Sequence, residues 1–242
     1  DGTITARAQN AIHLDEHAPG NTAGDMRIAT MYSQSDGVFL EADGSIVEGL
    51  GLTGAINVKA VSLTAQSPTG HIGTNLRPIG TDLSSGQVEA IAMTGISIAE
   101  MVGAMEVVAA TTLVGEVRLQ TVDLSYDGQD IILPAGNTIA SAFGDVTLLS
   151  GDGVTIEPGS ILKAGNHLLI RGDHDNADVA LGASIDVHGQ VQSAYTEITG
   201  EDDDDVINVS VISEDATTLI LANAGEDVVD LDVASTVGAF LA

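Results

Sequence analysis

The sequence predicts an all-β protein, a right-handed parallel β-helix drawn out into a rod, and three observations carry that prediction. Short segments alternate apolar and polar residues from one end of the chain to the other. Their interior is aliphatic, since 44% of the 242 residues are hydrophobic while only 2% are aromatic and none is Trp. The chain also repeats itself, and the mismatch between copies falls in turns.

The clearest alternating segments are residues 3–8, 61–65, 87–92, 145–149, 160–164 and 205–209. A period of two places one side chain in a core and the next in water, which is a half-buried strand. Gly, Asn, Asp and Ser separate these segments, and 28 Gly against 5 Pro points to tight turns that use positive φ. Residues 99–110 are the best helical window, yet it contains Gly103 and reads Met105-Glu106-Val107-Val108-Ala109, which suits a strand equally well.

Residues 1–43 can be laid over 85–123. Ile4 then meets Val88, Ile12 meets Ile96, Leu14 meets Ile98, Glu16 meets Glu100, Met26 meets Met105 and Leu40 meets Leu119. The aliphatic set survives while the polar set drifts, as in a stack of coils that shares one core. Coils of about 20–25 residues give about ten or eleven of them, in a rod about 50 Å long. The expected organisation is a repeat unit over 1–84, a diverged second unit over 85–199 and acidic coils continuing the solenoid over 200–242. Coil ends expose unpaired backbone, so the first residues and the apolar stretch with Phe240 and Leu241 are expected to be covered by another copy or by neighbouring repeats. The opening residues are already in mid-pattern, and the chain reads as a piece excised or processed from something longer.

Charge narrows the partners. Thirty-five acidic residues against seven basic ones leave a formal charge of −28. Such a surface repels phosphate backbones and anionic lipid, and suits divalent cations. Nucleic acid is therefore not an expected partner. Membrane insertion is not expected either, because no run approaches 18 apolar residues. With no Cys, disulfides, thiol catalysis and thiolate metal sites are absent.

Several stretches, "GDMRIATMYSQSDGVFLEADGSI", "VSLTAQSPTGHIGT" and "GDVTLLSGDGVTIEPGSILKAGNHLLIRGDHDNADV", resemble the repeats of giant bacterial surface proteins of the filamentous-haemagglutinin type. The later "GEDDDDVINV" and "NAGEDVVDLDV" resemble degenerate RTX calcium-binding repeats. The resemblance implies a secreted, non-enzymatic fibre or adhesin module at the bacterial surface, folded with the help of calcium, with a surface polysaccharide or a host-cell receptor as possible partners. Against G-G-x-G-x-D-x-U-x the first copy keeps Gly200, Asp205 and Ile207 but carries Glu201 and Asp203 at glycine positions. The second keeps Gly225, Asp227 and Val229 but carries Ala222 and Asn223.

Charge also singles out that region. Five consecutive carboxylates, Glu201 to Asp205, repel one another by roughly 1–3 kcal/mol per neighbouring pair, and calcium takes six to eight hard oxygens of this kind. Asp205 and Asp227 lie 22 residues apart, one coil length, so their turns should stack. The candidate calcium ligands are Asp203, Asp205 and Asp227, followed by Asp202, Asp204 and Asp230, which alternation can turn outward.

Other motifs lack the context their chemistry needs. Asp173, Asp175, Asn176 and Asp178 open like an EF-hand loop, but Asp178 and Ser184 stand where Gly and Glu are required. His13-Leu14-Asp15-Glu16-His17 matches H-x-x-E-H, yet it continues a strand pattern and meets Pro19. Gly49 to Gly54 matches G-x-G-x-x-G with a strand, not a helix, behind it. Arg171-Gly172-Asp173 spells a receptor tripeptide at a strand-to-turn junction. The remaining functional alternative is a β-helix that binds or degrades polysaccharide, but the few basic residues are spread along the sequence and no cluster suited to an anionic sugar is visible.

Overall fold

The computed structural model describes residues 2–17, 24–52, 54–175, 177, 182–210, 217–232 and 239–241. Among these the chain forms 24 strands and no helix. The strands stack in parallel as a β-solenoid of about nine turns.

One inward column shows the construction. Met26, Ile46, Ile72, Ile96, Val117, Val146, Leu168, Thr196 and Thr218 occupy the same position on successive coils, and the backbone of Ala239 continues the register. At ~4.8 Å per step its nine steps span about 43 Å. A second column runs Met105, Ile131, Val154, Ile185, Ile207, Val229. On the third face Ile12, Val38, Leu63 and Val88 line up early, and Ala110, Ile139, Leu162 and Val191 line up later. Nearly all of these side chains are buried, so each coil rests on the aliphatic floor of the last. Residues 99–110 become two strands, Gly95–Glu100 and Met105–Thr112, with a turn at Gly103.

Two details differ from the sequence expectation. There are about nine turns rather than ten or eleven: the nine steps of the column run from Met26 to Ala239, with coil length between 20 residues (Met26 to Ile46) and 29 (Val117 to Val146). The longest coil carries its extra residues between strands, around 122–130. The internal repeat, moreover, preserves inward parity but not face. Ile12 sits in the column of Val38 and Leu63, whereas Ile96, its aligned partner, sits in the column of Ile72 and Val117.

Strand Ile79–Ala92 runs without a break through residues 84 and 85. It turns a corner there by bulging, with Ala60 opposite Leu83 and Ser62 opposite Gln87.

Close coil contact makes one glycine indispensable. A Cβ on Gly115 would lie 1.6 Å from the Thr94 carbonyl oxygen, and backbone on the next coil cannot step aside. Gly103 has φ +84 but open space around its Cβ position. Gly115→Ala is therefore expected to cost at least about 3 kcal/mol, and Gly103→Ala only the left-handed penalty of about 1–2 kcal/mol. Urea unfolding of both variants checks this, and equal midpoints would contradict the packing.

Candidate functional site

The acidic turns stack as their spacing predicts. Val206 pairs with Val228 and Ile207 with Val229, so Asp205 and Asp227 occupy one corner of adjacent coils. The Asp205 backbone N–H donates to Asp227 Oδ1 at 3.0 Å, and the Ala183 N–H on the coil before donates to Asp205 Oδ1 at 2.7 Å. Ala183, Asp205 and Asp227 each stand two residues before an inward aliphatic: Ile185, Ile207 and Val229. Asp152, two before Val154, takes the N–H groups of Gly128 and Gln129 in the same way.

A related bracket uses the residue immediately before the inward aliphatic. Asp25 accepts from Ser45 N–H (2.9 Å), Asp130 from Gly153 N–H (2.9 Å) and Asp145 from His167 N–H (3.1 Å), in each case reaching to the next coil. Asp204 accepts from Glu226 N–H at 2.7 Å. At corners, where ladder geometry breaks, these carboxylates satisfy amides that would otherwise lack an acceptor. Much of the acidity of the chain thus holds coil to coil. Sequence reasoning missed Asp25, Asp130, Asp145 and Asp152 in this role, although aspartate one or two places before an inward aliphatic was the signal.

The six candidate calcium ligands divide accordingly. Asp205 is 1% exposed; its Oδ2 is buried without a hydrogen-bond partner. Burial, chiefly, pushes its carboxyl up to about 6, and the charges of Asp227, Asp203 and Glu201 add to the rise against the Ala183 N–H. Asp227 and Asp203 are half-buried beside it, and the Asp203 carbonyl and Asp227 Oδ1 both approach Gly225. Asp202 and Asp204 are exposed. Asp230 is exposed on the outer side of strand Val228–Leu231, in register with Asn208 and, beyond it, Asp186. Among the described residues no three His, Cys, Asp or Glu side chains converge where one ion could sit. The candidates do not form a carboxylate cage; any cation here would need turn carbonyls as well as the side chains around Asp205.

The set-aside motifs have visible roles. His13 stacks on Phe39 at 4.3 Å, on strand Ile12–Glu16, and His17 Nδ1 lies 3.3 Å from Asp43. In an extended strand His13 and His17 stand about 13 Å apart, too far for one metal. The loop after Gly49 does cradle an anion, but that anion is the chain's own: the Glu48 carboxylate accepts the Leu50 and Gly51 N–H groups. Arg171 pairs with Glu201 at 3.3 Å while Gly172 and Asp173 are buried, so the tripeptide is not displayed. Asn176 and Asp178 lie outside the described residues, as do the side chains of Phe240 and Leu241.

No family model matches the chain, and neither a curated protein nor a solved structure matches it.

Proposed function

We propose that the chain is a structural segment of a large secreted or cell-surface fibre, non-enzymatic, whose work is to hold a fixed length and to associate with copies of itself. The observation that carries this reading is the unbroken column from Met26 to Ala239, in which every coil offers the next the same backbone edge and, from Met26 to Leu168, an apolar floor. A body of this kind lengthens by adding coils without any change of design. Lateral association is supported by a ridge of exposed apolar side chains on one corner, Leu113 and Val114 on one coil and Phe143, 66% exposed, on the next. The coils meet there through the Phe143 N–H and the Leu113 carbonyl. Charge of −28 keeps such a rod soluble and selects against polyanionic partners such as nucleic acid and anionic lipid surfaces.

Sedimentation at increasing concentration tests the reading. Wild type is expected to associate, and Leu113→Ser with Phe143→Ser to weaken that association by roughly tenfold or more, as truncating a central apolar contact does. A particle that stays monomeric at millimolar concentration overturns it. The same material tests the calcium that the resemblance implies. A higher melting temperature in calcium than in chelator, beyond that given by sodium chloride of matched ionic strength and lost in Asp205→Asn with Asp227→Asn, places the ion at the stacked acidic turns. Equal melting temperatures leave those aspartates as brackets alone.

A further inference from the structure

Positive charge is scarce in this chain, and three of its seven Lys and Arg side chains are engaged with a partner. Lys59 pairs with Asp82, Arg171 with Glu201, and Arg7 lies over the Tyr32 ring at 4.8 Å. Arg27 and Arg77 differ. Among the described residues neither guanidinium makes an ion pair or hydrogen bond, and both line one cleft of about 160 Å³ with Val47, Glu48, Gly73 and Thr74. Fifty residues apart in sequence, they meet because two coils separate them.

The fold builds this cleft deliberately at Gly73. Arg27 and Val47 are outward neighbours in register on adjacent coils, and Gly73 follows Ile72, the partner of Ile46. Gly73 has φ +64, and a Cβ there would lie 2.2 Å from the Ser97 carbonyl oxygen, so no side chain fills the position. The chain instead leaves the sheet in a tight loop closed by reciprocal bonds between Thr74 and Arg77, each 2.9 Å, with the Arg77 N–H also 3.1 Å from Thr74 Oγ1. Pro78 fixes the exit. Arg77 is thereby returned over the column on which Arg27 stands, with apolar Val47 as the floor. The Glu48 carboxylate in the wall is already held by Leu50, Gly51 and Asn57, and subtracts one of the two positive charges.

We infer that Arg27 and Arg77 clamp an oxyanion, a carboxylate, sulfate or phosphate group, with the Thr74 hydroxyl as a third donor. Guanidinium is suited to this because its planar fork gives two parallel N–H bonds to such a group. The cleft is smaller than the roughly 300–1,000 Å³ of sites that enclose a whole drug-sized ligand, so it takes the charged group and leaves the rest of the molecule outside. This inference is independent of the fibre reading.

The test follows the five arginine side-chain Nε–H signals by NMR while sulfate, inorganic phosphate or glucuronate is added at constant ionic strength. Two of the five are expected to shift and saturate at millimolar anion. Arg27→Gln and Arg77→Gln identify them, each weakening binding about tenfold, while Arg118→Gln, outside the cleft, leaves it unchanged. Arg27→Lys keeps the charge but loses the fork and is expected to fall between wild type and Arg27→Gln. Both arginines are exposed, and the same spectra report that the variants are folded. The anion that saturates first separates an inorganic oxyanion from a sugar carboxylate as the source. Shifts that rise linearly at all five arginines, or binding that survives in the double variant, overturn the inference.

Discussion

Leu119→Asp is expected to abolish cooperative folding of the coils around it, while Arg118→Ser, one residue away, is expected to change stability by less than about 1 kcal/mol. Leu119 is fully buried between Ile98 and Leu148, two residues along the strands that carry Ile96, Val117 and Val146 of the first column. An aspartate there has no donor to meet it and no water, and an unpaired buried carboxylate costs more than the roughly 4–5 kcal/mol that marks an exceptional substitution. Arg118 points outward, between Ser97 and Thr147 on neighbouring coils. Because each coil contacts only its neighbours, the loss should be felt most by the coils on either side. Far-UV circular dichroism with urea checks the pair, and hydrogen exchange locates the opened coils. Similar midpoints for the two variants would mean that inside and outside have been assigned wrongly.

That contrast also marks what can be read from sequence. Inward parity is legible, since period two survives in nearly every strand and Leu40, Val88 and Leu119 are all buried as their alternation requires. Face is not legible. All three faces use the same aliphatic residues, so laying Ile12 on Ile96 matched two inward positions from different columns. Stacking of Asp205 on Asp227 followed from their 22-residue spacing, but the partner of each carboxylate is a backbone N–H one coil away, and an amide has no signature in sequence. The arginine cleft was hidden for a related reason: the five arginines look scattered until a coil of variable length decides which of them meet.

Inward acids are the most informative exceptions to the pattern. The superposition of Glu16 on Glu100 already placed two glutamates at inward positions, and Glu16 is half-buried while Glu100 is fully buried. Glu48 faces Ile28 in register and is 5% exposed. Glu48 and Glu100 break the aliphatic rule where the backbone offers donors. Glu48 receives two loop N–H groups, and Glu100 receives Thr81 Oγ1 at 2.7 Å and Leu83 N–H at 3.1 Å. Glu100 thus ties its strand to the start of strand Ile79–Ala92, at the cost of a carboxylate held away from water.

Glu100→Gln is accordingly expected to stabilise the protein at pH 8 and to leave it nearly unchanged at pH 5. Burial, above all, pushes the Glu100 carboxyl up to about 7 from 4.5, against the bonds from Thr81 and Leu83. Between these values the folded state holds a proton that the unfolded state has released. The stability this contributes is complete below pH ~4.5 and is lost as pH rises through ~7, amounting to about 3 kcal/mol at most. Glutamine keeps an acceptor for the Leu83 N–H and carries no charge to bury, so it removes this loss. Asp205, raised to about 6, slopes the same way, and so does the self-repulsion of a chain at −28. Glu226→Gln is the proper reference, because it removes the same unit of charge from an exposed position. Melting at fixed ionic strength from pH 5 to pH 8 should show Glu100→Gln rising above Glu226→Gln by about 5–10 °C at the alkaline end. Parallel curves for the two variants, or a Glu100→Gln protein weaker than wild type at pH 8, would show that Glu100 is ionised at no cost inside the solenoid.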